Sequence, residues 1–208
     1  MTTDQLSTHD RLRREAAALF ARRGYGGTSM AEIAGRVGIR KASLYNYYDS
    51  KADLMVELLE QSLLDWERAC RVEDLALGLS VEDRLGRYLA GAVRFGRQHP
   101  QAVGIIRLAA GQMPSEVRHR VQEILDRHDK AWQQSLAELF TEAIERGEVE
   151  PRDPHELGLF WSVFVHGLMI NQIFATAKAD AMLAELQSLW QMFWRGLSGR
   201  LPSTELQV

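Results

Sequence analysis

What this chain lacks narrows its class before any motif is read. Cys70 is its only cysteine, so no disulfide can form within the chain and a reducing compartment fits. Strand-type alternation is nearly absent, as are internal repeats and low-complexity tracts. There is no overall basic excess: the net charge is −3, which excludes a basic nucleic-acid coat. The opening Met-Thr-Thr-Asp-Gln has no apolar stretch, so we expect no signal peptide. The longest apolar run, residues 157–177, is interrupted by His166, Asn171 and Gln172, and no basic flank follows. It reads as a helix buried on most faces, not as a membrane span. A cytoplasmic protein without a membrane segment is the expectation.

What is present is helix. With 46% hydrophobic residues the chain can bury a real core. Ser7, with Asp10 three residues on, starts a helix carrying Leu12, Ala16, Leu19 and Phe20 up to Gly24. Ser50 caps a longer helix running to about Cys70, and 71–79 reads as a connection. Ser80 caps the next helix, which closes at His99-Pro100. A short helix covers 101–111, and a long one runs from Ser115 to about Arg146. The loop 147–154 precedes the apolar helix at 155–176. A last helix runs from Asp180 to Gly199, followed by a loose tail. The reading is all-α, with about nine helices in two parts, 1–54 and 55–208.

The charge is split between those parts. Residues 1–54 hold nine Lys or Arg against six Asp or Glu, so the remainder is acidic. Within the basic part, 29–51 reads as two short helices around a glycine. Met30–Val37 is the first, Gly38 the turn, and Arg40 to about Asn46 the second. Ser29 and Glu32 have the spacing of a capping box. Ile33, Val37, Ile39 and Leu44 are the apolar positions that would fix the angle between the two helices. This is a helix-turn-helix pattern, whose second helix fits the DNA major groove. Arg40, Lys41, Ala42 and Ser43 would then meet base edges, cations at guanine and small side chains at a thymine methyl. Tyr45 and Tyr47 can donate to phosphates. Lys51 with the amides opening its helix, and Thr28 with Ser29, are further anion contacts.

Thr28-Ser29-Met30-Ala31-Glu32-Ile33-Ala34, Val37-Gly38-Ile39, Lys41-Ala42-Ser43-Leu44-Tyr45-Asn46-Tyr47-Tyr48, Ser50-Lys51 and Leu54 resemble the N-terminal domain of the tetracycline-repressor (TetR) family. Ala-Leu-Phe-Ala-Arg-Arg-Gly-Tyr at 18–25 fits the preceding helix. The resemblance covers residues 9–56, about a quarter of the chain. Tyr48 stands where Phe is usual, and Asp49 replaces a frequent Pro. The resemblance implies homodimers on palindromic operators. It also implies a C-terminal domain that holds a small molecule and pairs subunits through its last two helices. Glu145-Arg-Gly-Glu-Val and His166-Gly167-Leu168 resemble that domain less specifically.

Three readings compete for 55–208. In the first, a small hydrophobic or amphipathic effector binds a pocket lined by Trp66, His128, Trp132, Trp161, Phe164 and His166, and shifts the helix starting at Ser50. The second is a dimerisation module without a ligand. The third is a helical metalloenzyme: Glu116-x-x-His119 has di-iron spacing, but no second such pair exists and no nucleophile motif appears. No catalytic residue, metal or cofactor is therefore expected. Phe160, Trp190, Phe193 and Trp194 give the last two helices more apolar surface than one core needs, which points to a subunit interface.

Overall fold

The computed structural model describes residues 7–70, 79–111, 113–170 and 179–199. Nine α-helices occur among them and no strand. They are α1 (Thr8–Arg23), α2 (Met30–Val37), α3 (Lys41–Leu44), α4 (Lys51–Cys70), α5 (Val81–Gln98), α6 (Pro100–Ala110), α7 (Ser115–Glu145), α8 (Pro154–Ile170) and α9 (Ala179–Ser198). The connection at 71–78, the expected end of the apolar helix beyond Ile170 and the tail after Gly199 lie outside the described residues.

Serines begin helices where the sequence placed them. Ser7, Ser29, Ser50 and Ser80 each accept from the amide three residues on, at 3.0, 3.2, 3.1 and 3.1 Å. Each such cap contributes roughly 1 kcal/mol. Ser7, Ser50 and Ser80 also donate to the aspartate at that position, at 2.6, 2.6 and 2.8 Å. Glu32 departs from this pattern. Its carboxylate pairs with Arg23 of α1 instead of turning back to Ser29, so the expected capping box is only half made.

The helices form two compact units. The first takes residues up to Asp65 together with His99–Asp126, and the second takes Trp66–Gln98 with Arg127 onward. The basic segment 1–54 thus folds into a larger unit, into which the start of α4, α6 and the start of α7 also pack. Its core joins Leu12, Phe20, Ile33, Leu44, Leu54 and Leu59 to Ile105 and Val117. Gly104 makes the α1–α6 contact possible: a Cβ there would sit 2.6 Å from the Cβ of Ala21. Both α4 and α7 contribute residues to each unit.

In the second unit α5 is the central element. Val81, Leu85, Tyr88, Leu89, Ala92 and Val93 are buried, and so are Glu82, Arg84, Ala90 and Phe95 on other faces. Small residues let neighbours close around it. Buried Arg84 donates to both carboxylate oxygens of Glu142 on α7, at 2.6 and 3.2 Å. That pairing holds the Glu142 carboxyl below its ordinary pKa.

Candidate functional site

The helix-turn-helix is built as its sequence implies, with a shorter second helix. Gly38 takes φ 78°, the left-handed conformation, and its amide bonds to Gly35 O at 3.2 Å. The Ile39 amide reaches Ala34 O at 3.0 Å. These two bonds are a Schellman stop, which favours glycine at that residue. Arg11 of α1 donates to Val37 O, occupying another carbonyl at the end of α2. The second helix spans four residues, Lys41–Leu44, instead of reaching Asn46. Turns continue it, with Tyr47 N–H on Leu44 O at 2.9 Å and Tyr48 N–H on the same oxygen at 3.2 Å.

Leu44 and Tyr48 anchor this segment in the core of the first unit. Arg40, Lys41, Ala42, Tyr45, Asn46 and Tyr47 remain exposed, and Ser43 is half-buried. Between Glu32 and Asp49 there is no carboxylate, while Arg36, Arg40 and Lys41 supply three cations. Lys41 Nζ lies 5.8 Å from the centre of the Tyr45 ring, a cation–π contact that keeps both on one face. Ser29 is exposed, and its hydroxyl keeps a proton to donate beyond its cap. The resulting surface is cationic, with hydroxyl donors at its margin.

Two expected contacts are otherwise engaged. Thr28 is buried, and its hydroxyl donates to Gly24 O at 3.0 Å. Lys51 turns inward. Its ammonium donates to Tyr25 O at 3.0 Å and Thr28 O at 3.1 Å, and lies 4.1 Å from the Tyr25 ring centre. The start of α4 is likewise served by its own chain, since the Asp53 carboxylate accepts from Ser50 and from Arg120 at 2.6 Å each. The Ser50 hydrogen bond, then Arg120, lowers the Asp53 pKa. A helix start so supplied is a poorer phosphate site than the sequence suggested.

A cluster not foreseen from sequence adjoins the tyrosines. The His9 ring stacks on Tyr48 at 5.6 Å between centres and lies 6.0 Å from Tyr47. Tyr48 Oη sits 3.0 Å from His9 Nε2 and donates to Glu57 at 3.2 Å. Arg13 Nε is 3.5 Å from Glu57 Oε1. Burial first, then the Glu57 charge, pushes the Tyr48 hydroxyl well above its ordinary pKa, so it stays protonated and donates.

In the second unit three of the six expected pocket residues, Trp66, Trp132 and Trp161, meet around Tyr88, and a fourth, Phe164, joins them through Trp161. The Trp66 indole donates to Tyr88 Oη at 3.0 Å. Trp132 stacks on Tyr88 at 4.8 Å and donates to Ser162 at 3.1 Å. Trp161 meets Tyr88 edge-on at 5.8 Å and contacts Phe164 at 5.9 Å. Its indole N–H, like that of Trp190, is buried without a hydrogen-bond partner among the described residues. The other two stand apart. His128 pairs with Glu67 at 3.1 Å. His166 is exposed, although enough protein surrounds its ring that desolvation lowers its pKa.

The expected interface residues also divide. Trp190, Phe193 and Trp194 are buried within the subunit, with Phe193 stacked on Phe164 at 4.6 Å. Phe160 is 50% exposed and shares α8 with Leu159 at 57% and Val163 at 61%; on α9 Met192 is 62% exposed. Their spacing puts Leu159, Phe160 and Val163 on one helical stripe. His119 of the Glu116–His119 pair is exposed beside Glu123, at 3.5 Å. Among the described residues no three His, Cys, Asp or Glu side chains gather as metal ligands, and no helix is long and apolar enough to cross a membrane.

Residues 12–58 match the family of bacterial regulatory proteins described as the tetR family. The repressor KstR2 of Mycobacterium tuberculosis is 30% identical over 138 residues, which are 65% of this chain and 66%, just under two thirds, of that relative. A structure of AibR with isovaleryl coenzyme A and operator DNA has a TM-score of 0.69 at 24% identity, covering 92% of this chain and 98% of the other. FadR of Bacillus subtilis with stearoyl-CoA gives 0.71 at 19% identity, covering 90% and 98%. These two likenesses concern the fold.

Proposed function

Because this chain belongs to the tetR family of bacterial regulatory proteins, we propose that it is a cytoplasmic transcriptional repressor which binds a palindromic operator as a homodimer and is released by a small effector. The observation that carries the DNA-binding part is the 33–48 segment, anchored by Leu44 and Tyr48, cationic and free of carboxylates. Arg40, Lys41, Ala42 and Ser43 read bases, and Ser29, Tyr45 and Tyr47 hold phosphates. Subunits pair through the stripe of Leu159, Phe160 and Val163 with Met192. A two-fold pair would set its recognition segments about 34–36 Å apart, one turn of DNA.

The effector enters the aromatic cluster around Tyr88. That cluster is apolar, with a few convergent donors, which suits an amphipathic molecule. The acyl thioesters held by AibR and FadR make acyl-CoA the first class to try. Binding there would act on DNA affinity through α4 or α7, which have residues in both units, provided the effector favours the conformation that does not bind DNA. The close packing of Trp161 favours a second reading, a dimeric regulator without a ligand. No catalytic role is assigned.

The test uses a duplex that the protein itself selects from a random pool. Fluorescence anisotropy should show tight binding at two half-sites, and sedimentation should show a dimer. Short- and long-chain acyl-CoA are then titrated into the complex. Release without turnover supports the sensor. Failure to select any sequence would sink the DNA-binding reading, and indifference to every acyl-CoA would favour the ligand-free one.

A further inference from the structure

The cluster at the start of α1 has a role that the helix-turn-helix pattern does not supply. Three groups converge on one proton. Tyr48 Oη lies 3.0 Å from His9 Nε2 and 3.2 Å from Glu57, and His9 Nε2 is 3.4 Å from Glu57 Oε1. The carboxylate only accepts, and the tyrosine has a single hydrogen. If Nε2 were bare, that hydrogen would have to serve two acceptors. All three groups are satisfied when Nε2 carries a hydrogen and Tyr48 donates to Glu57. Nδ1 then has no partner among the described residues, and the half-exposed ring lies beside exposed Tyr47.

We propose that His9 is a DNA-contacting residue that binds a backbone phosphate only as the imidazolium, so that operator binding takes up a proton at each subunit. The inference rests on the DNA-binding reading above. Nε2–H is committed to Tyr48 and Glu57, so a bond from Nδ1 to phosphate needs a second ring hydrogen, and both nitrogens carry one only in the cation. Tyr47 offers its hydroxyl to the same stretch of backbone. The charged groups facing the ring are Glu57 of α4, which favours the cation, and Asp10 and Arg13 of α1, which oppose each other in sign. Tyr47 and Tyr48 are the titratable groups of the turn beside it, and burial keeps the Tyr48 hydroxyl protonated. The phosphate adds the negative charge that draws the proton on.

The experiment measures Kd for the self-selected duplex by anisotropy at fixed ionic strength, from about pH 8 down to about pH 6, across the range where histidine titrates. The parent protein should bind more tightly as pH falls, by up to about tenfold per subunit, or about a hundredfold for the dimer, for each unit by which DNA raises the His9 pKa. His9→Gln should lose that dependence while keeping its helicity. His9→Lys, a permanent cation, should bind tightly with little pH dependence. NMR titration of His9 in the free and DNA-bound parent needs no variant, and should show a higher pKa in the complex. An equal pH dependence in His9→Gln, or a His9 pKa that DNA leaves unchanged, would overturn the proposal. If the parent binds DNA at no pH, the DNA-binding reading falls first and takes this one with it.

Discussion

Lys51 offers a clear separation of two roles, because the structure gives it work inside the protein. Changing Lys51 to Met keeps most of the stem and removes the ammonium. Two bonds disappear, to Tyr25 O and Thr28 O, together with the contact to the Tyr25 ring. Tyr25 O retains the Thr28 amide at 3.3 Å, whereas Thr28 O loses the Lys51 donor. Hydrogen bonds from a charged donor contribute about 1.5–3 kcal/mol each, and losing the desolvation of the partly exposed ammonium offsets part of that. We therefore expect a net loss of about 2 kcal/mol. For a chain of this size that is roughly 4–8 °C in Tm, at about 2–4 °C per kcal/mol. The assay is calorimetry or thermal circular dichroism, paired with Kd for the selected duplex over a range of salt. A lysine that met phosphate would contribute about 0.9 to the slope of log K against log salt. The slope should stay unchanged in Lys51→Met although the protein melts earlier. An unaltered Tm with a slope reduced by about 0.9 per subunit would refute the inward assignment.

Other perturbations address separate parts of the molecule. Gly38→Ala meets open space but forces a left-handed φ of 78°, and should cost about 1–2 kcal/mol in chemical unfolding while weakening operator binding. Val163→Glu places a charge on the exposed stripe of α8 and should give a folded monomer in sedimentation; a dimer of undiminished stability would move the interface elsewhere. Lys41→Ala should change which bases the protein selects from a random pool, whereas Tyr45→Phe should weaken all sequences alike. Asp53 has a folded pKa below its unfolded value, so its contribution is present above the unfolded carboxylate range and lost as pH falls through the folded value. Asp53→Asn should therefore flatten the acid side of the stability profile, read as Tm against pH.

The local features of this fold could be read directly from the chain. Four serine caps, the stop at Gly38 and the anchor Leu44 each depend on residues within a few positions, and the structure places them where spacing did. Misplaced assignments involve partners far apart in sequence. Lys51 reaches carbonyls more than twenty residues back, Glu32 pairs with Arg23 of another helix, and Arg120 arrives at Asp53 from α7. No periodicity reports such pairings. Tyr88 gives no distinct signal because an amphipathic pattern treats a tyrosine as one more core residue, and only three-dimensional packing sets three tryptophan rings around it. Trp190, Phe193 and Trp194 show the same limit in reverse: abundance of aromatics says that much surface is covered, not whether the subunit covers it itself. The His9 cluster gave no sequence signal, since Tyr48 and Glu57 are distant from it along the chain.

The brevity of α3 bears on how this protein would respond to genetics. A helix of four residues lies far below the length at which helices persist in water, so its order is borrowed from the core through Leu44 and Tyr48. A screen for loss of operator binding would then return two mixed populations. Substitutions at Arg40 or Lys41 would fail at every temperature. Substitutions at Ile33, Leu44 or Ile105, which never approach DNA, would fail mainly when warm and recover on cooling. Sorting mutants by temperature would map, from phenotype alone, which residues address the operator and which keep the short helix in being.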